Sequence, residues 1–299
     1  MKKLNKERKK KSTETAKIRR KSALFLAPSI IGVSLFFVLP FLVVIFYSVV
    51  NNPIQHKFVF LKNFINVWNN SAFQLAATNT FKFSVIAVPL VVVLSMALAF
   101  ALDAAIPFKS QIRTLLLSPM MVPIASVVLI WQVLFHYNGV INEVLLNLGL
   151  DKIDWMKSQY AQVVVTVLFL WKNLGYNMIL FMAALSSIPK EILEVARLES
   201  ATPIQIFFTI KLRYISSTIL FVTIMSLINS FKVFREIYLL TGNYPYEAVY
   251  MLQHFMNNAF TTLDYQRLSA AAILMSLVMI VIIGVLFIVE NHFGKDVEG

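Results

Sequence analysis

The chain has 299 residues, 58% of them hydrophobic and only 14% charged, more apolar material than a single water-soluble core of this length needs. Its net charge of +12 is concentrated, with eleven Lys or Arg in the first 21 residues against only Glu7 and Glu14. It contains no cysteine, which excludes disulfides, thiolate catalysis and cysteine metal clusters.

The basic run over residues 2–21 reads as a solvated tail that fixes membrane orientation and touches anionic lipid, not as a nucleic-acid arm, because long apolar runs follow it. A cleaved signal peptide would need a shorter apolar region of about 7–15 residues before a small-residue cleavage site. Here the apolar run extends over 23–50, so a retained helix is expected. A bilayer-spanning helix needs about 20 mainly apolar residues. Six segments meet this, at 23–50, 83–102, 115–135, 161–185, 216–240 and 269–289.

Positive charge collects on the cytoplasmic side of a membrane. With the N-terminus inside, the inner segments carry 18 Lys or Arg and the outer loops five, while Lys82, Lys172, Lys232 and Arg235 lie within or beside spans. Both termini are therefore expected in the cytoplasm. The predicted fold class is an all-α membrane protein: one six-helix domain over 22–290, between the basic tail 1–21 and a short cytoplasmic C-terminal tail 291–299. Pro28, Pro40, Pro89, Pro119 and Pro123 punctuate the spans and read as packing kinks, which neighbouring helices can accommodate.

The fourth and fifth spans are joined by about 28 residues, 187–214, that are more than a connector. Pro189 suits a first helical turn, Ser187 is placed to cap it, and Glu191 and Glu194 follow near the positive end of the helix dipole. Ile192, Val195 and Ala196 recur at helical spacing, with Leu198 or Glu199 closing the next turn. Thr202-Pro203 then restarts a second short helix with Ile206, Phe207 and Ile210 as its apolar stripe. From composition alone, two readings stay open: a surface that enters a groove on a soluble partner, or an interfacial helix on lipid.

The order of residues resembles the inner-membrane permeases of binding-protein-dependent ABC importers, in particular the carbohydrate-uptake branch of maltose and glycerol-phosphate type. That family carries a loop of the form E-A-A, three residues, G-A, then a Phe and Ile-x-Leu-Pro. Here Glu194-Val195-Ala196 stands at the E-A-A and Ser200-Ala201 at the G-A; Phe207 or Phe208 and Ile210-Lys211-Leu212-Arg213 follow. Val195 replaces an alanine, Ser200 the glycine and Arg213 the proline. The resemblance extends along the chain. Phe58-Val59-Phe60-Leu61-Lys62-Asn63-Phe64 looks like F-V-G-L-x-N-F, and Asn79-Thr80 like N-T. Pro119 with Ile130-Trp131, Gly139-Val140-Ile141-Asn142, Ala183-Ala184-Leu185 with Ile188-Pro189, and Phe231-Lys232-Val233-Phe234 fall in family order. Gly242-Asn243-Tyr244-Pro245 stands where the family continues G-G-P, so that outer loop is expected to be specialised.

The resemblance implies a type I importer permease of the bacterial cytoplasmic membrane. It would pair with a second permease subunit as a heterodimer, dock on a cytoplasmic ABC ATPase dimer, and receive solute from an extracytoplasmic binding protein. ATP and Mg would sit on the partner ATPase, with no cofactor on this chain. The docking loop would comprise Glu191, Glu194, Val195, Ala196, Glu199, Ser200 and Ala201. Ala196 and Ala201 would permit close approach, and the carboxylates would meet basic or amide groups of the ATPase.

Polar groups within spans face a cavity or a partner, because lipid exposure is costly. Asn173, Tyr176 and Asn177 fall on one helical face of the fourth span, and Asn229, Lys232 and Glu236 on one face of the fifth. Amides, a phenol and an ion pair suit a hydroxyl-rich solute. Plainer roles stay open beside this: Lys232 and Glu236, four apart, neutralising each other, Lys172 snorkelling, and Tyr176 packing. No catalytic site is legible. The only Gly-Lys pair, Gly294-Lys295, is followed by Asp296 and cannot complete a P-loop, and His56, His136, His254 and His292 are scattered. An ion-gradient-driven secondary transporter is the alternative from another class; it would work without an ATPase and often shows inverted repeats, of which none is visible.

Overall fold

The computed structural model describes residues 21–103 and 107–294. Most of the two expected tails, 1–20 and 295–299, lies outside the described residues, and the last helix continues through Gly294, past the expected boundary at 290. The described chain is all-α apart from one isolated antiparallel bridge between Val50 and Phe58.

Helix α1 (Lys21–Val49) widens at Ser34–Val38, where the Leu39 N–H reaches back to the Ser34 carbonyl. Pro40, which has no N–H to give, follows directly, and the wider turn accommodates it. Short α2 (Lys62–Trp68) leads to α3 (Ser71–Asp103), which starts well before the expected 83 because Asn70 Oδ1 caps it, accepting from the N–H groups of Ala72 at 3.0 Å and Phe73 at 3.2 Å.

The expected third span, 115–135, is not one helix. It is split into α4 (Lys109–Met121) and α5 (Ile124–Leu134), bent by 100°. Pro119 is tolerated inside α4. Pro123 is the breaker: its ring disfavours helical backbone at the residue before it, and Val122 is extended at φ −81°, ψ 130°.

Helix α6 (Val140–Asn147) precedes α7 (Ala161–Ser186), followed by α8 (Lys190–Leu198) and a helical segment over 203–214, α9. The fifth span is α10 (Ser216–Phe231) and α11 (Phe234–Thr241), interrupted at Lys232 and Val233. Helices α12 (Leu252–Thr261) and α13 (Tyr265–Gly294) complete the chain. Among the described residues, five helical segments, counting α10 and α11 together, are long and apolar enough to cross a membrane, and the bent α4–α5 pair would make a sixth.

The core forms where α3 packs along α7, with α10 against both. Phe83 and Phe169 meet edge-on at 5.5 Å, among fully buried Met178, Phe181, Ile215 and Val222. Gly175 lets α4 approach α7 closely: a Cβ there would lie 1.9 Å from the Leu116 carbonyl oxygen. Two buried hydroxyls pair across α3 and α10, Ser84 Oγ with Ser230 Oγ at 2.8 Å. Helix α1 is mostly bare, with Phe25, Phe36 and Phe37 more than 70% exposed, a surface suited to lipid or another apolar chain.

Several of the motif residues named above are structural ties. Asn63 Nδ2 donates to the carbonyls of Ser48 at 2.9 Å and Val50 at 2.8 Å, fixing α2 to the end of α1. Asn79 donates to the Tyr250 carbonyl at 3.1 Å, and Thr80 Oγ1 accepts from the Leu252 N–H at 2.9 Å, so the pair anchors the segment before α12. Asn142, fully buried, accepts from the Ile153 N–H at 3.1 Å and Trp155 Nε1–H at 3.0 Å while donating to the Tyr137 and Ile153 carbonyls.

Candidate functional site: an interhelical cavity and the 187–214 loop

The loop is built from local chemistry. Pro189 stands at the N-cap of α8 and Glu191 lies in its first turn. Ser187 does not cap it; its Oγ donates back to the Ala184 carbonyl at 2.7 Å, finishing α7 instead. Helix α8 ends in a Schellman motif. The Ser200 N–H donates to the Arg197 carbonyl and the Ala201 N–H to the Ala196 carbonyl, each at 3.0 Å, with Ser200 left-handed at φ 63°. This is the conformation glycine adopts without strain, and it explains why the resembled pattern has glycine there. Ser200 adopts the same turn at an intrinsic cost of about 1 kcal/mol.

Thr202 and Gln205 then form a capping box: Thr202 Oγ1 accepts from the Gln205 N–H at 3.3 Å and Gln205 Oε1 accepts from the Thr202 N–H at 2.8 Å. The second arm is held to the end of α3, with Phe207 against Phe100 at 4.8 Å between ring centres and Lys211 Nζ 3.3 Å from Asp103.

Glu191, Glu194, Val195, Glu199 and Ser200 are exposed. Ala196 is not: it is buried against its own chain, where its small size serves the packing of α8, and Ala201 is half-buried. The most exposed apolar side chain of α8 is Leu198, at 84%. In the sequence pattern Leu198 closes the turn that follows Ile192, Val195 and Ala196, and nothing in that spacing marks it as facing outward.

A cavity of about 850 Å³ lies between α7 and the α10–α11 break, with Met120 of α4 also on its wall. Asn173, Tyr176, Asn229, Lys232 and Glu236 line it, as do Lys172, Arg235 and Gln253. Asn229 Nδ2 donates to Asn173 Oδ1 at 3.1 Å, and Asn173 Nδ2 donates to the Phe169 carbonyl at 2.8 Å. Each amide keeps one N–H free, and Asn229 Oδ1 is open as an acceptor.

Two expectations are corrected. Asn177 does not line this cavity; it is buried and donates to Ser226 Oγ at 2.9 Å, joining α7 to α10. Lys232 does not neutralise Glu236. The helix breaks at Lys232 and Val233, so the four-residue spacing no longer sets them side by side, and Glu236 pairs with Lys172 of α7. Arg235 was not assigned a role; its place beside a span was the available signal. Among the described residues no cluster of three or more metal-ligating side chains forms.

The fold and these sites match known proteins. The family model for the binding-protein-dependent transport system inner membrane component matches residues 87–299, and the chain belongs to that family. It is 30% identical over 263 residues to the sulfoquinovosyl glycerol transport system permease protein SmoG of Agrobacterium fabrum, covering 85% of each chain. It is 26% identical over 280 residues to the lactose transport system permease protein LacF of Rhizobium radiobacter, covering 91% of this chain and 93% of the relative. Among solved structures, a chain of a bacterial ABC transporter that imports the acidic polysaccharide alginate superposes with a TM-score of 0.79 at 21% identity, over 95% of this chain and 99% of that one. The protein is therefore a multi-pass protein of the bacterial inner membrane.

Proposed function

We propose that this chain is the transmembrane subunit through which a carbohydrate or related polyhydroxy solute enters the cytoplasm by alternating access, driven by ATP hydrolysis on a separate ABC ATPase dimer. The observation that carries the reading is the Asn173–Asn229 amide pair, 3.1 Å apart and facing a cavity between α7 and α10 within a membrane bundle. Paired amides with spare donors and acceptors match hydroxyl groups, which are both. The names of the relatives, which transport lactose and sulfoquinovosyl glycerol, support the solute class.

In this reading both termini are cytoplasmic, in keeping with the Lys/Arg bias, and the 187–214 loop docks on the ATPase. Glu191, Glu194, Glu199, Val195 and Leu198 form its outward face, while Ala196, Ser200 and Ala201 shape it. A second permease completes the pathway, and an extracytoplasmic binding protein delivers the solute. ATP and Mg belong to the ATPase. The loop's attachment to α3 through Phe207 and Lys211 gives it a rigid base from which nucleotide-driven motion would reach the bundle.

The test is uptake of labelled mono- and oligosaccharides and polyols by cells lacking this chain, complemented with wild type or Asn173→Leu. We expect deletion to abolish uptake of at least one such solute and Asn173→Leu to weaken it without changing assembly. Undiminished uptake of every polyhydroxy solute in the deletion strain would refute the proposal.

A further inference from the structure

We propose that the solute of this cavity is an anion, a polyhydroxy body bearing a carboxylate, sulfonate or phosphate that Lys232 and Arg235 receive. This rests on the transport reading above and names its substrate class more narrowly.

The argument begins with the charges on the cavity wall. Three bases line it, Lys172, Lys232 and Arg235, against one acid, Glu236. Glu236 is buried and its Oε1 accepts from the Lys172 ammonium, which engages that lysine, while its Oε2 has no hydrogen-bond partner among the described residues. Among the described residues, neither Lys232 nor Arg235 has a carboxylate partner, and both are exposed. Bases placed in a membrane segment are kept where they meet a counter-charge or a watered cavity. Here the protein supplies the cavity and leaves the counter-charge to an occupant.

Lys232 and Val233 are turn residues that keep helical backbone between α10 and α11, and the cavity lies beside them. That turn separates Lys232 from Glu236, freeing the lysine from the i,i+4 pair that an unbroken helix would form. An arginine fork binds carboxylate, sulfonate or phosphate oxygens in bidentate geometry, and a lysine adds a mobile point charge. Asn173, Asn229 and Tyr176 remain for the hydroxyls. A neutral sugar would engage these three and leave both cations unmatched.

The experiment compares cells with and without the chain, in the otherwise complete transporter, for uptake of matched probes. These are a neutral disaccharide and the aldobiouronic acid of the same linkage, and glycerol with glycerol 3-phosphate, alongside a sulfonated hexose. Lys232→Gln, Arg235→Gln and the double variant are tested with Lys232→Arg and Arg235→Lys as conservative rescues, and the amount of assembled complex is measured for each. We expect uptake of at least one acidic probe to need the chain, to fall about tenfold or more in each Gln variant, and at equal complex levels to recover with Lys232→Arg and only in part with Arg235→Lys, which keeps the charge but loses the fork. Which acidic probe responds separates carboxylate, sulfonate and phosphate. If only neutral probes need the chain, or if the double Gln variant carries the acidic probe undiminished, the inference is overturned while carbohydrate transport stands. If no probe needs the chain and the wider carbohydrate panel is equally unaffected, the transport reading fails, and this inference with it.

Discussion

Gly175→Ala should loosen the contact between α4 and α7. The added methyl would sit 1.9 Å from the Leu116 carbonyl oxygen and 2.5 Å from its carbon, whereas ordinary contact begins near 3.4 Å. Both blocking atoms are backbone, so no side chain can rotate away, and the helices must part by about 1.5 Å. Overpacking of this kind costs about 1–3 kcal/mol, and the rigid obstacle places this case near 3. At a few degrees per kcal/mol for a chain of this size, the melting midpoint should fall by about 5–10 °C. Gly175 also lies between Lys172 and Tyr176 on α7, so the displacement would reach the cavity and lower transport. The internal control is Gly284→Ala on α13, where a Cβ meets nothing within 4 Å and better helix propensity should leave stability equal or slightly higher. The assay is thermal unfolding of the purified detergent-solubilised proteins. Equal midpoints for the two variants would refute the close approach of α4 to α7.

Ser200→Gly should keep or slightly raise protection of the Ser200 and Ala201 amides in hydrogen exchange, whereas Ser200→Val, β-branched at φ 63°, should lose protection by about 1–2 kcal/mol. Lys172→Met leaves the Glu236 carboxylate buried without its cation; because the lysine side chain is 41% exposed, we expect about 2–3 kcal/mol of destabilisation in unfolding assays, less than for a fully enclosed pair, and recovery in Lys172→Met/Glu236→Leu. His254, in α12 between the last two spans, is enclosed, and burial lowers its pKa from 6.5 to about 4. Its Nδ1 accepts from the Met251 N–H at 3.2 Å, so the folded state holds the neutral ring. Its contribution is fully present above pH 6.5 and is lost as pH falls toward 4, up to about 3 kcal/mol. His254→Gln should therefore flatten the pH dependence of the melting midpoint over that window relative to wild type, and identical slopes would contradict it.

The spans were legible because crossing a bilayer needs length and hydropathy, both written in the residues. What a span does inside the bundle was less so. Pro119 and Pro123 look alike in the sequence, yet one rides within α4 and the other produces the 100° bend; the difference lies in whether the preceding backbone can leave helical geometry where it stands. Asn173 and Asn177, four apart, share a helical face in projection, but α10 approaches α7 so that one amide meets Asn229 and the other Ser226, a separation that periodicity alone does not resolve. The pairing of Lys232 with Glu236 failed for a related reason, since it assumed helical continuity through a break. The loop was read more accurately because its determinants are local. Pro189, Thr202-Pro203 and the glycine-like role of Ser200 act within a few residues, and tertiary packing did not override them. The packing role of Ala196 within its own chain was not legible, because a small residue suits a partner's approach and its own chain's packing equally well.

The central claim is that the exposed face of α8 is where an ATPase grips this chain. The sequence contains no cysteine, so Leu198→Cys provides a single reactive thiol on that face. In membranes containing the whole transporter, its maleimide labelling rate should fall at least tenfold when the ATPase is bound, and a short bifunctional reagent should join it to the ATPase in a nucleotide-dependent yield. Labelling that is as fast with the ATPase as without it, and no cross-linked product, would contradict the account.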